Sequence, residues 1–500
     1  MLLQPNARVR FGLVPGVSLL LLLPCLWQSR IQAGDLASHV YNAWLVELIQ
    51  EGRLHGLITV PSLTNVLFDL MLSGVLRIAG PGAAQRVAVG VSVLLFVWGA
   101  FAFAAAVSRS RPWHVLPCAA MLAYGWVFHM GFFNFHLSLG LCFWALAACW
   151  RPTRQRVLAG GGILILASTA HALPVLWTLG LLGYTAAARR APARYRPLMT
   201  GGCVVLLAAV NRILMTMYFS YWSPRQVVAA SGADQVWVFG EKYGLVMLGL
   251  VAGWCWLLTR LWRRRGKLRV LLSIPFQLCV LSAAVVVAIP NMILLPLYRH
   301  GLAYIPERMS LAVGVCVCAL LAAAPARRSE QAAMWTLASV FFFFVYVDER
   351  ALNRFEDRID AVVAGLPPFQ RVVTTFTDRS GRIDAVYHMV DRACIGRCFS
   401  YANYEASTLQ FRVRANGRNP YVVARYDDSW GIHIGNYTWQ ESDLPAYKID
   451  LDPSNGSLRV IPAKAGSQCG STSVRILPRW TSENPGGRYT AGSIPSPGRG

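Results

Sequence analysis

Apolar runs recur along this chain near 11–27, 87–107, 113–130, 134–150, 157–169, 172–187, 198–219, 243–260, 270–289, 309–324 and 332–347, and short arginine-rich loops separate many of them. A helix needs about 20 apolar residues to cross roughly 30 Å of hydrocarbon. Several runs are shorter than that, and the pair at 157–169 and 172–187 fits least well. Together they predict an α-helical polytopic membrane protein with about eleven transmembrane helices. The composition agrees, at 55% hydrophobic and only 14% charged residues.

The net charge of +23 would suit a partner of nucleic acid, but its placement points elsewhere. Basic residues gather between apolar runs, at Arg109 and Arg111, at Arg151, Arg154 and Arg156, and at Arg189, Arg190, Arg194 and Arg196. The series continues from Arg260 to Arg269 and ends at Arg327 and Arg328. This is the positive-inside pattern of membrane loops, not a polyanion-binding face, so no nucleic-acid partner is expected. With the N-terminus inside, every cluster falls on the cytoplasmic side. Loops 28–86, 220–242 and 290–308, and everything after 348, then fall outside. Arg8 and Arg10 ahead of the first run are also compatible with a signal peptide, but no small-x-small site ends that run. The expectation is an uncleaved anchor in a plasma membrane, which the Arg- and Ala-rich composition makes a bacterial inner membrane. The C-terminal part would then be periplasmic or extracellular.

Residues 1–349 thus form a multi-pass membrane domain with a long first external loop, 28–86. After residue 349 the composition changes. Alternating stretches at 409–415, 421–428 and 457–463 predict strands, and 350–480 is expected to be a small external β-rich domain entered through an amphipathic helix near 350–364. Residues 481–500, rich in Gly, Pro and Ser, are expected to be disordered. Cys394 and Cys398 are the closest external cysteines, and an oxidising compartment would join them.

Carboxylates narrow the search for chemistry. Ten of the 24 acids precede residue 350, and of these only Glu330 falls on the cytoplasmic side. An enzyme built into the membrane part would therefore work at the outer face. Asp35 opens the first external loop, in GDLASHVYNAW, with His39 one helical turn later. Two roles are open to Asp35 on local spacing: it can cap a helix, or it can act as a base. The turn at 128–140 places Asn134 and His136 between two helix ends, and the loop at 240–242 supplies Lys242. LYRHGLAYIPERMS (297–310) supplies Arg299, His300 and Arg308. Arginines at an external membrane edge either bind phosphate through paired hydrogen bonds or snorkel among headgroups.

In GDLASH (34–39), the length of the first loop and the order of spans and tail, the chain resembles the GT-C class of integral-membrane glycosyltransferases, and more narrowly uncharacterised bacterial membrane proteins. The class commonly carries paired acids where this chain has Asp35 between Gly34 and Leu36. The resemblance implies an inverting transfer from a polyprenyl-phosphate sugar to a glycan, lipid or protein acceptor on the external face. Asp35 would be the general base and His39 would orient it or bind acceptor. Arg299 and Arg308, with Lys242, would hold the phosphate, and His300, Asn134 and His136 would complete substrate binding. A divalent cation is optional, with Glu47 or Asp69 as spare ligands. The alternatives are a transporter or lipid-handling protein, or an inactive scaffold whose external domain binds a partner.

Overall fold

The computed structural model describes residues 13–296, 301–324, 326–378, 381–417, 419–452 and 454–477. The expected disorder of 481–500 concerns residues outside this set. Among the described residues, four helices are long and apolar enough to cross a membrane: Leu67–Ser108, Ala193–Met217, Lys242–Arg265 and Arg328–Ala364. The expected count of about eleven is not supported. Other apolar runs fold as shorter helices such as Phe133–Cys149 and Ile274–Ala288, and the 113–130 run breaks into the pieces Leu116–Ala123 and Trp126–Met130. The break has a local cause, because Gly125 is extended and stops the first piece before the second begins. Leu67–Ser108 is itself two helices, since Gly80 takes a left-handed φ of 77° just before Pro81.

Helix packing around the site uses small residues. A Cβ on Gly99 would lie 2.5 Å from the carbonyl oxygen of Gly140, so Leu67–Ser108 and Phe133–Cys149 cross almost backbone to backbone. The amphipathic stretch near 350–364 is not a separate element. It continues the last apolar run as one helix, Arg328–Ala364, whose buried face carries Glu349, Leu352, Asn353, Glu356 and Ile359.

The C-terminal part carries short helices as well as strands. Its four-stranded sheet runs in the order Leu458–Pro462, Ala446–Leu451, Arg371–Thr374, Phe399–Ser400. The first pair is antiparallel and the other two are parallel. The short helix Met389–Cys394 packs on it, and the helices Tyr404–Thr408 and Tyr426–Ile434 pack on one another. The alternation at 421–428 does not become a strand, because the Tyr426 helix starts inside it with Asp427 and Asp428 in its first turn, where the helix dipole favours acids. Of the 409–415 stretch only Val413–Ala415 is a strand, and it pairs with Leu57–Thr59 of the first loop. Cys394 and Cys398 form a disulfide.

The first loop and the tail are locked together. Glu356, fully buried, receives both Nε and Nη2 of Arg392 at 2.7 and 2.8 Å and Nε2 of Gln32 at 2.7 Å. The Tyr41 hydroxyl accepts from the Ser400 amide at 3.0 Å, and Asn403 donates to Asn42 at 2.8 Å. The helix Leu36–Gln50 therefore lies between membrane-side helices and the C-terminal sheet.

Candidate active site

Asp35 precedes the Leu36–Gln50 helix, but its side chain makes no capping hydrogen bond. The backbone around it is held by other means. The Gly34 amide donates to the His129 carbonyl at 2.7 Å, and the Asp35 amide donates to that of Met130 at 3.0 Å. This approach requires glycine on the facing turn. Gly131 has φ of +88°, and a Cβ there would sit 2.4 Å from the Asp35 nitrogen. The carboxylate is thus left to the site, 28% exposed.

Behind it stand groups from the tail. His388 Nε2 lies 3.8 Å from Asp35 Oδ1, and His388 Nδ1 lies 2.7 Å from Asp391 Oδ2. Asp391 also accepts from the Ser400 hydroxyl. Burial favours neutral His388, yet the Asp391 carboxylate wins and raises its pKa. Glu405, 6% exposed, is pushed up to about 8 chiefly by burial, against the pull of His39. Asp35 and Tyr404 are near enough to act on one another electrostatically. On the helix itself His39 turns to a different acid, with its Nδ1 2.7 Å from Asp69 Oδ1. Burial opposes the charge on His39, but Asp69 raises it to about 9. The other Asp69 oxygen accepts from Asn134 Nδ2 at 2.9 Å, and Asn134 Oδ1 takes the Phe68 amide at 2.9 Å.

The facing wall is cationic and aromatic. Arg308 lies over the Phe132 ring, 3.7 Å from its centroid, and its charge interacts with that of Asp35. Trp126 and Tyr304 pack edge to face at 5.7 Å beside it. Arg382, from the tail, lies over Trp126 and donates to the carbonyls of Asp234 and Trp237 at 2.8 and 2.9 Å. A partly exposed carboxylate whose charge interacts with that of an arginine stacked on an aromatic ring is chemistry that suits displacement of an anionic leaving group.

The expected site residues divide. Asp35 and Arg308 are close enough for their charges to interact, and His39 and Asn134 meet through Asp69. Lys242 is not free for a phosphate, because its ammonium lies 2.5 Å from Asp348 inside the bundle. His136 is a core residue stacked on Phe96, with its nitrogens on Ser92 and the Ala123 carbonyl, so substrate binding does not fall to it. Arg299 and His300 lie outside the described residues. Of the two spare ligands, Asp69 has both oxygens engaged, and among the described residues no three His, Cys, Asp or Glu side chains group to hold a metal ion.

No family model matches the chain, and neither does any curated protein or solved structure. Sequence reasoning missed His388, Asp391, Glu405 and Arg382, all from the tail. The spacing of His388 and Asp391 within HMVD was the one available signal.

Proposed function

We propose that the chain is an inverting glycosyltransferase that moves a sugar from a polyprenyl-phosphate donor to an acceptor at the external face of a membrane. The observation that carries this reading is a partly exposed Asp35 carboxylate that its own helix does not use, facing Arg308. The acceptor hydroxyl gives its proton to Asp35, and its oxygen attacks the anomeric carbon. The bond from that carbon to the phosphate breaks, and the electron pair leaves on a phosphate that Arg308 holds. One base suffices for a single displacement of so good a leaving group, and a second carboxylate of the glycosidase kind is not needed. The acceptor is a glycan, lipid or protein hydroxyl. The arginine-rich loops, read as cytoplasmic, put the tail on the periplasmic or extracellular side.

The test is transfer in nanodiscs with undecaprenyl-phosphate glucose, mannose and galactose, comparing wild type with Asp35→Asn and Arg308→Gln. Asp35→Asn is expected to lower transfer by about 10²–10⁴-fold with donor binding retained. Arg308→Gln is expected to raise the donor KM. Wild-type transfer by Asp35→Asn overturns the assignment.

A lipid-handling reading has one foothold, the buried Lys242–Asp348 pair between two helices long and apolar enough to cross a membrane. Lipid movement without sugar transfer, lost in Asp348→Asn, would favour it.

A further inference from the structure

The tail brings an imidazole to Asp35 in a way that packing alone does not require. His388 is 3% exposed, its Nδ1 is taken by Asp391, and its remaining ring nitrogen faces the partly open Asp35 carboxylate. Asp391 is held in turn. It lies on the Met389–Cys394 helix, whose Arg392 grips Glu356 and whose last residue is in the disulfide to Cys398. The Ser400 hydroxyl bonds Asp391, while the Ser400 amide is fixed by Tyr41 of the helix that Asp35 begins. The chain of contacts Tyr41–Ser400–Asp391–His388 thus leaves the start of that helix and returns to it.

We propose that His388, oriented by Asp391, is the positioning residue for Asp35, so that the C-terminal unit completes the reacting site of the membrane part. This rests on the reading of Asp35 as base. At 3.8 Å the contact is an ion pair, longer than a hydrogen bond. With Nδ1–H donated to Asp391, the protonated ring presents Nε2–H to one Asp35 oxygen and leaves the other for the acceptor. The acceptor proton passes to the free Asp35 oxygen, and no further proton has to move. The neighbouring groups allow this. Burial opposes the charge on His388, while Asp391 above all, and then Asp35, favour it. His433, pulled down to about 4 by burial, adds no competing charge near neutrality. Tyr387 and Tyr404 cover the ring, with centroids at 4.4 and 5.6 Å, and Arg308 faces Asp35 from the opposite wall.

The experiment is a ¹⁵N NMR titration of the His388 ring in full-length protein in detergent. Asp35→Asn removes a charge that favours the protonated ring, so His388 is expected to lose its proton at lower pH than in wild type, with its tail packing intact. Asp391→Asn is expected to shift it further in the same direction. An unchanged His388 titration in Asp35→Asn overturns the pairing, whatever the activity. Transfer of glucose from undecaprenyl-phosphate glucose separates the two readings. If Asp35→Asn transfers normally, the base assignment has failed. If Asp35→Asn is dead while His388→Gln keeps wild-type kcat and pH profile, the positioning role has failed and the base stands. A purely structural His388 would lower the melting temperature and leave the acid limb of the profile in place.

Discussion

His39 Nδ1 lies 2.7 Å from Asp69 Oδ1, joining the helix that Asp35 begins to the helix Leu67–Ser108. The pair has a pH signature. His39 is raised from 6.5 to about 9, with burial opposing and Asp69 prevailing, so its stabilisation is complete below about pH 6.5 and is lost as pH rises through 9. The wild-type melting temperature in detergent is expected to fall across that window. Asp69→Asn should lower it at pH 6 and flatten the slope above. An unchanged slope in Asp69→Asn would remove the pair from the account.

Glu405 gives a second window. Burial raises its pKa from 4.5 to about 8, while the unfolded chain ionises near 4.5. The folded state therefore keeps a proton that the unfolded state releases, and stability declines from about pH 4.5 to 8. Glu405→Gln preserves the neutral shape and should melt higher than wild type at pH 8 while matching it near pH 4.5. Equal melting at pH 8 would mean Glu405 ionises normally.

Glu356 is the joint between loop and tail. Glu356→Gln would strip the buried Arg392 of its carboxylate, at a cost of about 3–5 kcal/mol by analogy with broken buried pairs. Limited proteolysis should release the C-terminal unit faster than in wild type, and transfer should fall with it. Resistance equal to wild type would show that the strand pairing of Leu57–Thr59 with Val413–Ala415 suffices.

Gly131 sets where Asp35 sits. Gly131→Ala meets a left-handed φ, worth about 1–2 kcal/mol, and also drives a Cβ to within 2.4 Å of the Asp35 nitrogen. Transfer is expected to drop about 10²-fold, since small displacements of a base are costly. Gly417→Ala is the control: its φ is +75° and its Cβ would meet nothing within 4 Å. It should lose some stability and keep its transfer rate. Equal kinetic effects from both would sink the positional argument.

Part of this was legible in one dimension. Helical apolar runs, the shortage of early acids and the place of Asp35 just beyond the first apolar run follow from composition and order along the chain. The number of spans did not, because breaks at Gly125 and Gly80 depend on backbone conformations that an apolar run does not reveal. Alternation at 421–428 misled for a related reason, since acids at a helix start outweighed a period of two.

The sequence by itself determined an apolar, largely helical chain and an acid just beyond its first apolar run, because hydrophobic burial and helix signals act between near neighbours. Only the tertiary structure decided what surrounds that acid. It tied the Asp35 amide to Met130, turned His39 toward Asp69, sent Lys242 to Asp348, and brought His388 and Asp391 to the site. Partners such as Tyr41 and Ser400 are 359 residues apart, and no local pattern records a contact that chain folding alone creates.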